Sequence, residues 1–503
     1  MTVTYDFEHP RYFDLDDLRG ELDRVYDLCH GCRLCWDLCP SFDTLFRLID
    51  DKTDGIDPRL DAADQDRVVD ECYQCKLCYV KCPYVPPHEW ELDFPRLMLR
   101  ALAVRSHGKA LTVGHKILGE TVATGRAATM TAGLANASMK PGSVARKTME
   151  KAFGISAQRL LPSYAKEKFS TWWKHGGRDE PVRAFEPTAP APEPPRPSFL
   201  EPTPEELAAQ AAAPAAPEAE AEVPSFLVPT DDELAAAAGV ATTPVEPSVR
   251  DHAGTEDAVA APTRSVTIFP TCMLEYQDPA PAKATVRVLR HNGCDVDCAR
   301  ADRCCGMPSL DAGDVKAFLA KARRNVEELL PTVRSGRLIV VAQPTCNYVL
   351  RKEYPEYLKT PEAQEVADAI VDPAEYLFQL RRSEGIAEDF VDGLGTVAYH
   401  VACHLRAQQQ GYKARDLLQL APGTTVKVVE SCSGIDGTWG YRAQNVAMAK
   451  EIIAPTAERL RDAKADLVVG DCLLSDVALE EEGLDRPLHP MQALARAYGL
   501  EWR

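Results

Sequence analysis

Cys29-His30-Gly31-Cys32-Arg33-Leu34-Cys35-Trp36-Asp37-Leu38-Cys39-Pro40 is answered later in the chain by Cys72-Tyr73-Gln74-Cys75-Lys76-Leu77-Cys78-Tyr79-Val80-Lys81-Cys82-Pro83. Both stretches read C-x2-C-x2-C-x3-C-P. Three thiolates on one tight loop can each take a different metal atom of one compact centre. The fourth sits on the following turn, too far round to close the same centre comfortably. Zinc also favours C-x2-C, but in two separated pairs rather than an unbroken run of four ending in Cys-Pro. The repetition of the whole run argues further against zinc and against disulfides.

The spacing is the bacterial ferredoxin run for a pair of [4Fe–4S] clusters, in which the fourth cysteine ligates the other cluster. It predicts Cys29, Cys32, Cys35 and Cys82 on cluster one, and Cys72, Cys75, Cys78 and Cys39 on cluster two. Each proline is expected to stop the chain from continuing as a regular helix and to remove one backbone donor. Gly31 and the short spacers are expected to let backbone N–H groups approach the sulfurs, which tunes potential.

The 503 residues suffice for two to four domains. Seventeen cysteines, with an opening MTVTYDFEHP that carries no apolar stretch, suggest a reducing cytoplasm rather than a disulfide scaffold. No window of apolar residues is long enough for a membrane span, so membrane contact is expected to be at most peripheral, at the inner face. The net charge of −19 argues against nucleic acid. His88, His489 and the scattered carboxylates form no pair suited to hydrolysis. There is no G-x-G-x-x-G after a strand and no P-loop, so no FAD, NAD or ATP site is found and no catalytic residue is assigned.

The expected architecture is α+β and multidomain. Residues 1–95 form the two-cluster ferredoxin-like helical module. Residues 96–178 read as helical. Within them 147–174 is basic and carries Trp172 and Trp173, which suits either an anionic membrane surface or packing on a partner or on the cluster module, the second being preferred. Residues 179–264 are rich in Pro, Ala and Glu and read as a disordered linker. That linker repeats Pro197-Ser198-Phe199-Leu200 as Pro224-Ser225-Phe226-Leu227, each followed by a capping-box spacing (Thr203 with Glu206, Thr230 with Glu233). The repeats read as docking motifs or as linker duplications without a specific role.

Residues 265–390 and 391–503 read as two copies of one α/β unit. In the first, Val266–Phe269 leads to Cys272, Cys304-Cys305-Gly306 follows, and the apolar run Leu338–Ala342 delivers Cys346. In the second, Val397–Val401 leads to Cys403, Cys432-Ser433-Gly434 follows, and Asp466–Val469 delivers Cys472. The offsets 403 − 272 = 131, 433 − 305 = 128 and 472 − 346 = 126 agree closely enough for duplication. Alternating strands and helices imply parallel sheets. Ligands in such sheets sit at the carboxyl ends of strands, where these cysteines fall. Cys294 and Cys298 are read as structural.

Cys272, then Cys304-Cys305-Gly306, then Cys346 resembles the CCG-type cysteine-rich domain. That domain is known from the B subunit of heterodisulfide reductase, from the C subunit of anaerobic glycerol-3-phosphate dehydrogenase and from glycolate and lactate oxidation proteins. The order of a two-cluster module and two such repeats is similar to that C subunit and its relatives, some of them associated with rubrerythrin. Leu92-Asp93-Phe94-Pro95-Arg96 and Cys432-Ser433-Gly434-Ile435-Asp436-Gly437 also resemble segments of that group.

The resemblance implies five cysteines per complete copy and an unusual noncubane [4Fe–4S] cluster. Copy one has Cys272, Cys304, Cys305 and Cys346, with Gln343 where the final C-x-x-C would begin, and four thiolates still suffice for an ordinary cube. A third cluster, cubane or noncubane, is therefore expected there. Copy two keeps Cys403, Cys432 and Cys472, with Ser433 for the second vicinal cysteine and Val469 for the first of the final pair. His404 or His400 would complete an iron or zinc site there; the alternative is buried thiols without metal. The glycines after Cys432 suit either an anion-binding backbone cradle or a tight helix entry.

The implied role is an electron-transfer subunit of an oxidoreductase. It would link a flavin-containing dehydrogenase, or a rubrerythrin-like redox partner, to quinone or another acceptor. The alternatives are disulfide reduction at the copy-one site, as in heterodisulfide reductase, and a redox-sensing scaffold.

Overall fold

Asp14 caps the first helix, Leu15–Cys32, by accepting a hydrogen bond from the Asp17 amide. Leu18, Leu22, Val25 and Tyr26 recur at helical spacing and are fully buried. They pack with Phe42, Leu45, Phe46 and Ile49 of the helix Pro40–Thr53 and with Leu97 and Met98 of the helix Phe94–Ser106. The computed structural model describes residues 5–53, 59–109, 113–181, 264–300, 304–435 and 437–503. The two Pro-Ser-Phe-Leu repeats lie outside them.

Two local expectations are corrected. Cys29, Gly31 and Cys32 belong to the last turns of the first helix, which ends at Arg33 in a left-handed conformation (φ 53°). The first run therefore leaves a helix rather than forming one tight loop. Pro40 does not stop a helix but opens one, at the first helical position. There its missing N–H would be unpaired in any case and its fixed φ is already helical. In the second run the chain reverses sharply. Gln74 and Lys76 both take positive φ (53° and 64°) before the short helix Leu77–Lys81.

Helices Val113–Gly119, Thr121–Met130, Ala132–Ser138 and Val144–Phe153 follow. The chain then runs to Phe169 and Trp173, which are buried in one core with Val266, Val286 and Leu289 of copy one. Trp172 lies under Lys283 and Arg287, and Trp173 under Arg290, at 5.2–5.6 Å from ring centroid to cation. The tryptophan end of the basic segment thus packs on copy one, while Ile155 bridges Arg442 and the Leu160 amide donates to Glu481, both of copy two. Among the described residues no helix is long and apolar enough to cross a membrane.

The second half holds two parallel sheets. The first has the order β2-β1-β3-β4, with β1 (Ser265–Ile268), β2 (Asp295–Cys298), β3 (Leu338–Val340) and β4 (Ile370–Val371). The second has the order β6-β5-β7, with β5 (Thr396–His400), β6 (Thr425–Val429) and β7 (Leu467–Gly470). The duplication reaches the register. Val266 pairs with Leu338 and Val397 pairs with Leu467. A parallel bridge from Val469 to Leu488 repeats the pairing of Val340 with Val371. After it, Asp372 and His489 each build a capping box on a helix that starts with proline.

This register corrects one equivalence. Leu338 matches Leu467, so Gln343 (343 − 338 = 5) matches Cys472 (472 − 467 = 5). Both cap the following helix with the same backbone, φ −121°, ψ 112° for Gln343 and φ −118°, ψ 112° for Cys472. Cys472 therefore opens the final C-x-x-C position of copy two, and Ser475 stands where copy one has Cys346. Val469 is an interior strand residue, fully buried.

Candidate functional site

The cysteines of the two N-terminal runs gather into two groups, each drawing on both runs. Cys39, Cys72, Cys75 and Cys78 line one small cavity with Phe42, Tyr73 and Phe94. Burial pushes the Cys78 thiol well above its usual range, and the nearby sulfurs of Cys75, Cys72 and Cys39 push it further. In the other group, burial and then Cys35, Cys82 and Cys32 raise the Cys29 thiol in the same way. The amides of Phe42 and Ser41 point at Cys39, and those of Tyr84 and Val85 at Cys82.

Four sulfurs that oppose one another's ionisation, met by backbone N–H groups, fit a cationic iron–sulfide core. Such a core takes thiolates and is tuned by hydrogen bonds to them. Among the described residues no three or more His, Cys, Asp or Glu side chains are arranged to hold one metal ion. A cube spreads its four thiolates over four irons and does not need that closeness.

In copy one the thiols form one row, Cys272, Cys304, Cys305 and Cys346. Cys272 shares a proton with Cys304, which holds Cys304 well below and Cys272 well above the usual thiol range. Cys305 is raised through its bonds to Cys304 and Cys346. The Gly306 amide donates to Cys304 Sγ at 3.4 Å, and its φ of 97° is one that only glycine adopts readily.

These four thiols line a chamber of about 180 Å³. Its other walls include Ile117, Leu118, Met139, Met149, Leu161 and Met307, and among the described residues no charged side chain lines it. Gln277 Oε1 and Tyr441 Oη, both in its wall, are buried without a hydrogen-bond partner. The helix Thr121–Met130 covers this side so closely that a Cβ at Gly125 would meet the Tyr276 ring at 2.5 Å.

Copy two repeats half of this set. Cys403 shares a proton with Cys432, and Gly434 (φ 61°) donates to Cys432 Sγ at 3.3 Å. The bond from Cys403, aided by Tyr73 and the Gly434 amide, lowers Cys432 to about 7 against the opposing effect of burial. Where copy one pairs Cys305 with Cys346, copy two pairs Ser433 Oγ with Ser475 Oγ at 2.8 Å. Cys472 lies in the same cavity, of about 30 Å³, with its thiol raised to about 11 by burial.

His404 lines that cavity too, but both of its nitrogens are taken. Nε2–H donates to Gln74 O and Nδ1 accepts from Thr345 Oγ1, each at 3.0 Å. It therefore completes no metal site in this arrangement and instead ties three parts of the chain together. His400 donates Nε2–H to Ser431 O and does not line the cavity. Burial lowers both histidines to about 4. Cys294 and Cys298 stand apart from these groups, Cys294 against Tyr376 Oη at 3.4 Å.

The three cysteine regions adjoin. Cys75 and Tyr73 of the second run line the copy-two cavity. Tyr73 packs on Trp439 at 5.3 Å between centroids, and Trp439 Nε1–H donates to Asp70 O. Lys76 Nζ meets Glu353 Oε1 at 3.1 Å, both side chains almost wholly buried. Thr345, Gly437 and Leu474 line both copies' cavities. Sequence reasoning missed Tyr73, Ser475, the Lys76–Glu353 pair and the contact of Gln343 with Cys472. Only Ser475 leaves a signal in the chain, as a C-x-x-S after the last strand.

The model described as a cysteine-rich domain matches residues 266–351 and again 397–474. This chain carries the cysteine-rich domain twice. A second model, described as the Citrate utilization protein B Fer4-like domain, matches residues 22–109 of this duplicated cysteine-rich-domain protein. The protein is homologous to the C subunit of the anaerobic glycerol-3-phosphate dehydrogenase of Escherichia coli, at 30% identity over 234 residues. That match covers 46% of the chain and 59% of the relative, so the chain spans somewhat over half of that relative's length. It is homologous as well to the lactate utilization protein A of Bacillus cytotoxicus, at 26% identity over 218 residues, covering 41% of the chain and 87% of the relative. The same protein of Oceanobacillus iheyensis is 26% identical over 223 residues, covering 42% and 87%.

Proposed function

We propose that the protein is an iron–sulfur electron-transfer subunit of a larger oxidoreductase. It would take electrons from a flavin-containing dehydrogenase partner and pass them to quinone or another neutral acceptor. A single observation carries the reading: each N-terminal sulfur group takes its fourth member from the other run, and the second group abuts the cysteines of the duplicated domain. In this reading residues 1–95 hold two [4Fe–4S] clusters, 96–178 are a helical region, and 265–390 and 391–503 are the two cysteine-rich copies. Cys29, Cys32, Cys35 and Cys82 hold one cluster, and Cys72, Cys75, Cys78 and Cys39 the other. A third cluster is held by Cys272, Cys304, Cys305 and Cys346. Such clusters supply one-electron transfer. The chain supplies buried thiolates, amide donors to the sulfurs and short separations between groups.

The names of the relatives, one a component of a dehydrogenase and the others lactate utilization proteins, support a dehydrogenase partner. The largely apolar lining of the copy-one chamber, with Ile117, Leu118, Met139 and Met149 among it, supports a neutral acceptor over a charged disulfide. Disulfide reduction at copy one is the second reading.

The test is iron and acid-labile sulfide analysis of the anaerobically reconstituted full chain, with EPR. Two cubes give roughly eight irons per chain and one further cube roughly twelve. Colourless protein overturns the proposal. Turnover of a disulfide by the isolated chain favours the second reading, whereas activity only with an added flavoprotein favours the first.

A further inference from the structure

The copy-one chamber has more wall than four thiols need. Ile117, Leu118, Met139, Met149 and Leu161 line it and are only half-buried, although residues 113–164 carry no cysteine. Apolar surface left to water in a concave site favours an apolar guest. Two oxygens in the same wall, Tyr441 Oη and Gln277 Oε1, are buried without a hydrogen-bond partner among the described residues. A buried polar atom left unpaired costs free energy that a ligand could return by bonding to it. Tyr441 is fixed from behind. Its carbonyl accepts from the Ser156 amide at 2.8 Å, and the next residue, Arg442, bridges Ile155. It is only 5% exposed, and burial pushes its hydroxyl above the usual range, so the group stays a donor. Gln277 caps the helix Cys272–Tyr276, which starts at the first of the four thiols, by donating its backbone N–H to Met273 O.

We propose that this chamber binds a neutral quinol–quinone couple, with Tyr441 donating to one ring oxygen and Gln277 accepting from a ligand hydroxyl, and that it holds the quinol more tightly than the quinone. The proposal rests on the electron-transfer reading and adds to it the class of the acceptor and the residues that select it. A cavity of about 150 Å³ lined by Leu, Ile and Phe takes up benzene. A chamber of about 180 Å³ therefore suits a single substituted ring. A quinone offers only acceptors and satisfies Tyr441 alone. A quinol offers hydroxyls as well and satisfies both wall oxygens. Reduction of the bound quinone adds two electrons, arriving one at a time through the proposed clusters, and two protons from water, and turns both carbonyls into hydroxyls. A tighter hold on the product of that step raises the potential of the bound couple and favours its reduction. Tyr441 belongs to copy two, and the apolar wall belongs to the helical region, so the site draws on both copies and on the helices between the cysteine modules.

The experiment is anaerobic titration calorimetry of the full chain, metal-free and reconstituted, with tetramethyl-1,4-benzoquinol, the corresponding quinone and a sulfonated benzoquinol. The fully substituted ring leaves no open position for a thiol to add to. The metal-free chain compares the two forms directly. The reconstituted chain takes the quinol when reduced and the quinone when oxidised, so that no electron passes during the measurement. The parent is expected to bind both forms, the quinol about three- to tenfold more tightly, the worth of one hydrogen bond. Tyr441→Phe should weaken both forms by a similar factor, whereas Gln277→Leu should weaken the quinol alone and erase the preference. Binding by neither preparation overturns the proposal, as does a parent without preference for the quinol. So does unchanged affinity in both variants, because the ligand would then sit elsewhere. Binding lost on reconstitution also overturns it, because the chamber would then be the cluster's own space. A sulfonated quinol held as tightly as the neutral one removes the assignment of a neutral guest. Iron content and EPR of the same preparations report separately on the electron-transfer reading, which stands if the clusters are present and the ring does not bind. Each replacement deletes an oxygen without a partner, so the melting temperature of the free chain should not fall. Where Gln277→Leu fails to fold, Tyr441→Phe and the parent's quinol-to-quinone ratio still decide.

Discussion

Gln343 and Cys472 occupy the same position in the two copies, and they touch. Each follows the third strand of its unit and caps the next helix with nearly identical dihedral angles. Their contact brings together the carboxyl ends of β3 and β7, the ends at which parallel sheets hold ligands. The duplicated domain is thus organised around one shared wall, with the larger chamber on the copy-one side and the tighter cavity on the copy-two side.

The shared wall makes the serine pair of copy two a direct test of the alignment. Ser433 and Ser475 take the places of Cys305 and Cys346, and their oxygens are 2.8 Å apart. In the double variant Ser433→Cys/Ser475→Cys the introduced thiols are expected to bridge on mild oxidation of the metal-free chain. Peptide mapping would find one new cross-link joining these two positions. Absence of that cross-link, with Cys403 and Cys432 still accessible to each other, would remove the equivalence.

How much of this was legible in the chain divides along physical lines. Cysteine spacing carries its own geometry, so both runs and the vicinal pair stood out, and the alternation of apolar runs with helical segments announced two parallel sheets. Register did not. Asp466-Leu467-Val468-Val469 and Leu338-Ile339-Val340-Val341 can be slid against each other by a residue or more without loss of apolar matching. Only the pairings of Leu338 with Val266 and Leu467 with Val397 fix Cys472 opposite Gln343. The helix through Gly31 was hidden because a cysteine run suggests a loop, whereas the packing of Leu22, Val25 and Tyr26 carries the helix on to Cys32. Contacts such as that of His404 with Gln74 depend on distant segments and leave no local mark.

Crossed ligation predicts an asymmetric result from a single substitution. Cys39 belongs to the first run but shares its cavity with Cys72, Cys75 and Cys78. Cys39→Ser is expected to alter the EPR signal and potential of the centre that Cys75→Ser also alters, and to leave unchanged the one that Cys32→Ser alters. Disturbance of the Cys32 centre alone would refute the wiring.

The buried pair Lys76–Glu353 clamps the second cysteine run to copy one. Burial drives Lys76 towards its neutral form, but the Glu353 carboxylate overcomes this and holds the ammonium above its usual range. Burial likewise favours protonated Glu353, and Lys76 overrides it. Lys76→Met strands a buried carboxylate and is expected to cost about 3–5 kcal/mol, whereas the double variant Lys76→Met/Glu353→Gln should recover most of the loss. Denaturant titration of the four species gives the coupling. Additive losses would mean that the two groups do not interact.

The last prediction concerns acid. His489 is buried with Nε2–H donating to Ala342 O and Nδ1 accepting from the Met491 amide, an arrangement open only to the neutral ring. Burial accordingly lowers it from 6.5 to about 4. Between those two values the unfolded chain binds the proton and the folded one does not, so stability rises with pH across that window. The full contribution is present above pH 6.5 and is lost as pH falls towards about 4. A shift of this size corresponds to a loss on the order of 3 kcal/mol. His489→Asn keeps a helix-capping oxygen but has no group that titrates there. The difference in melting temperature between parent and variant, taken at a series of pH values so that losses common to both cancel, should move in the variant's favour as pH falls from 6.5 to about 4. A difference that stays flat would mean that His489 is protonated in the folded chain or exposed to water.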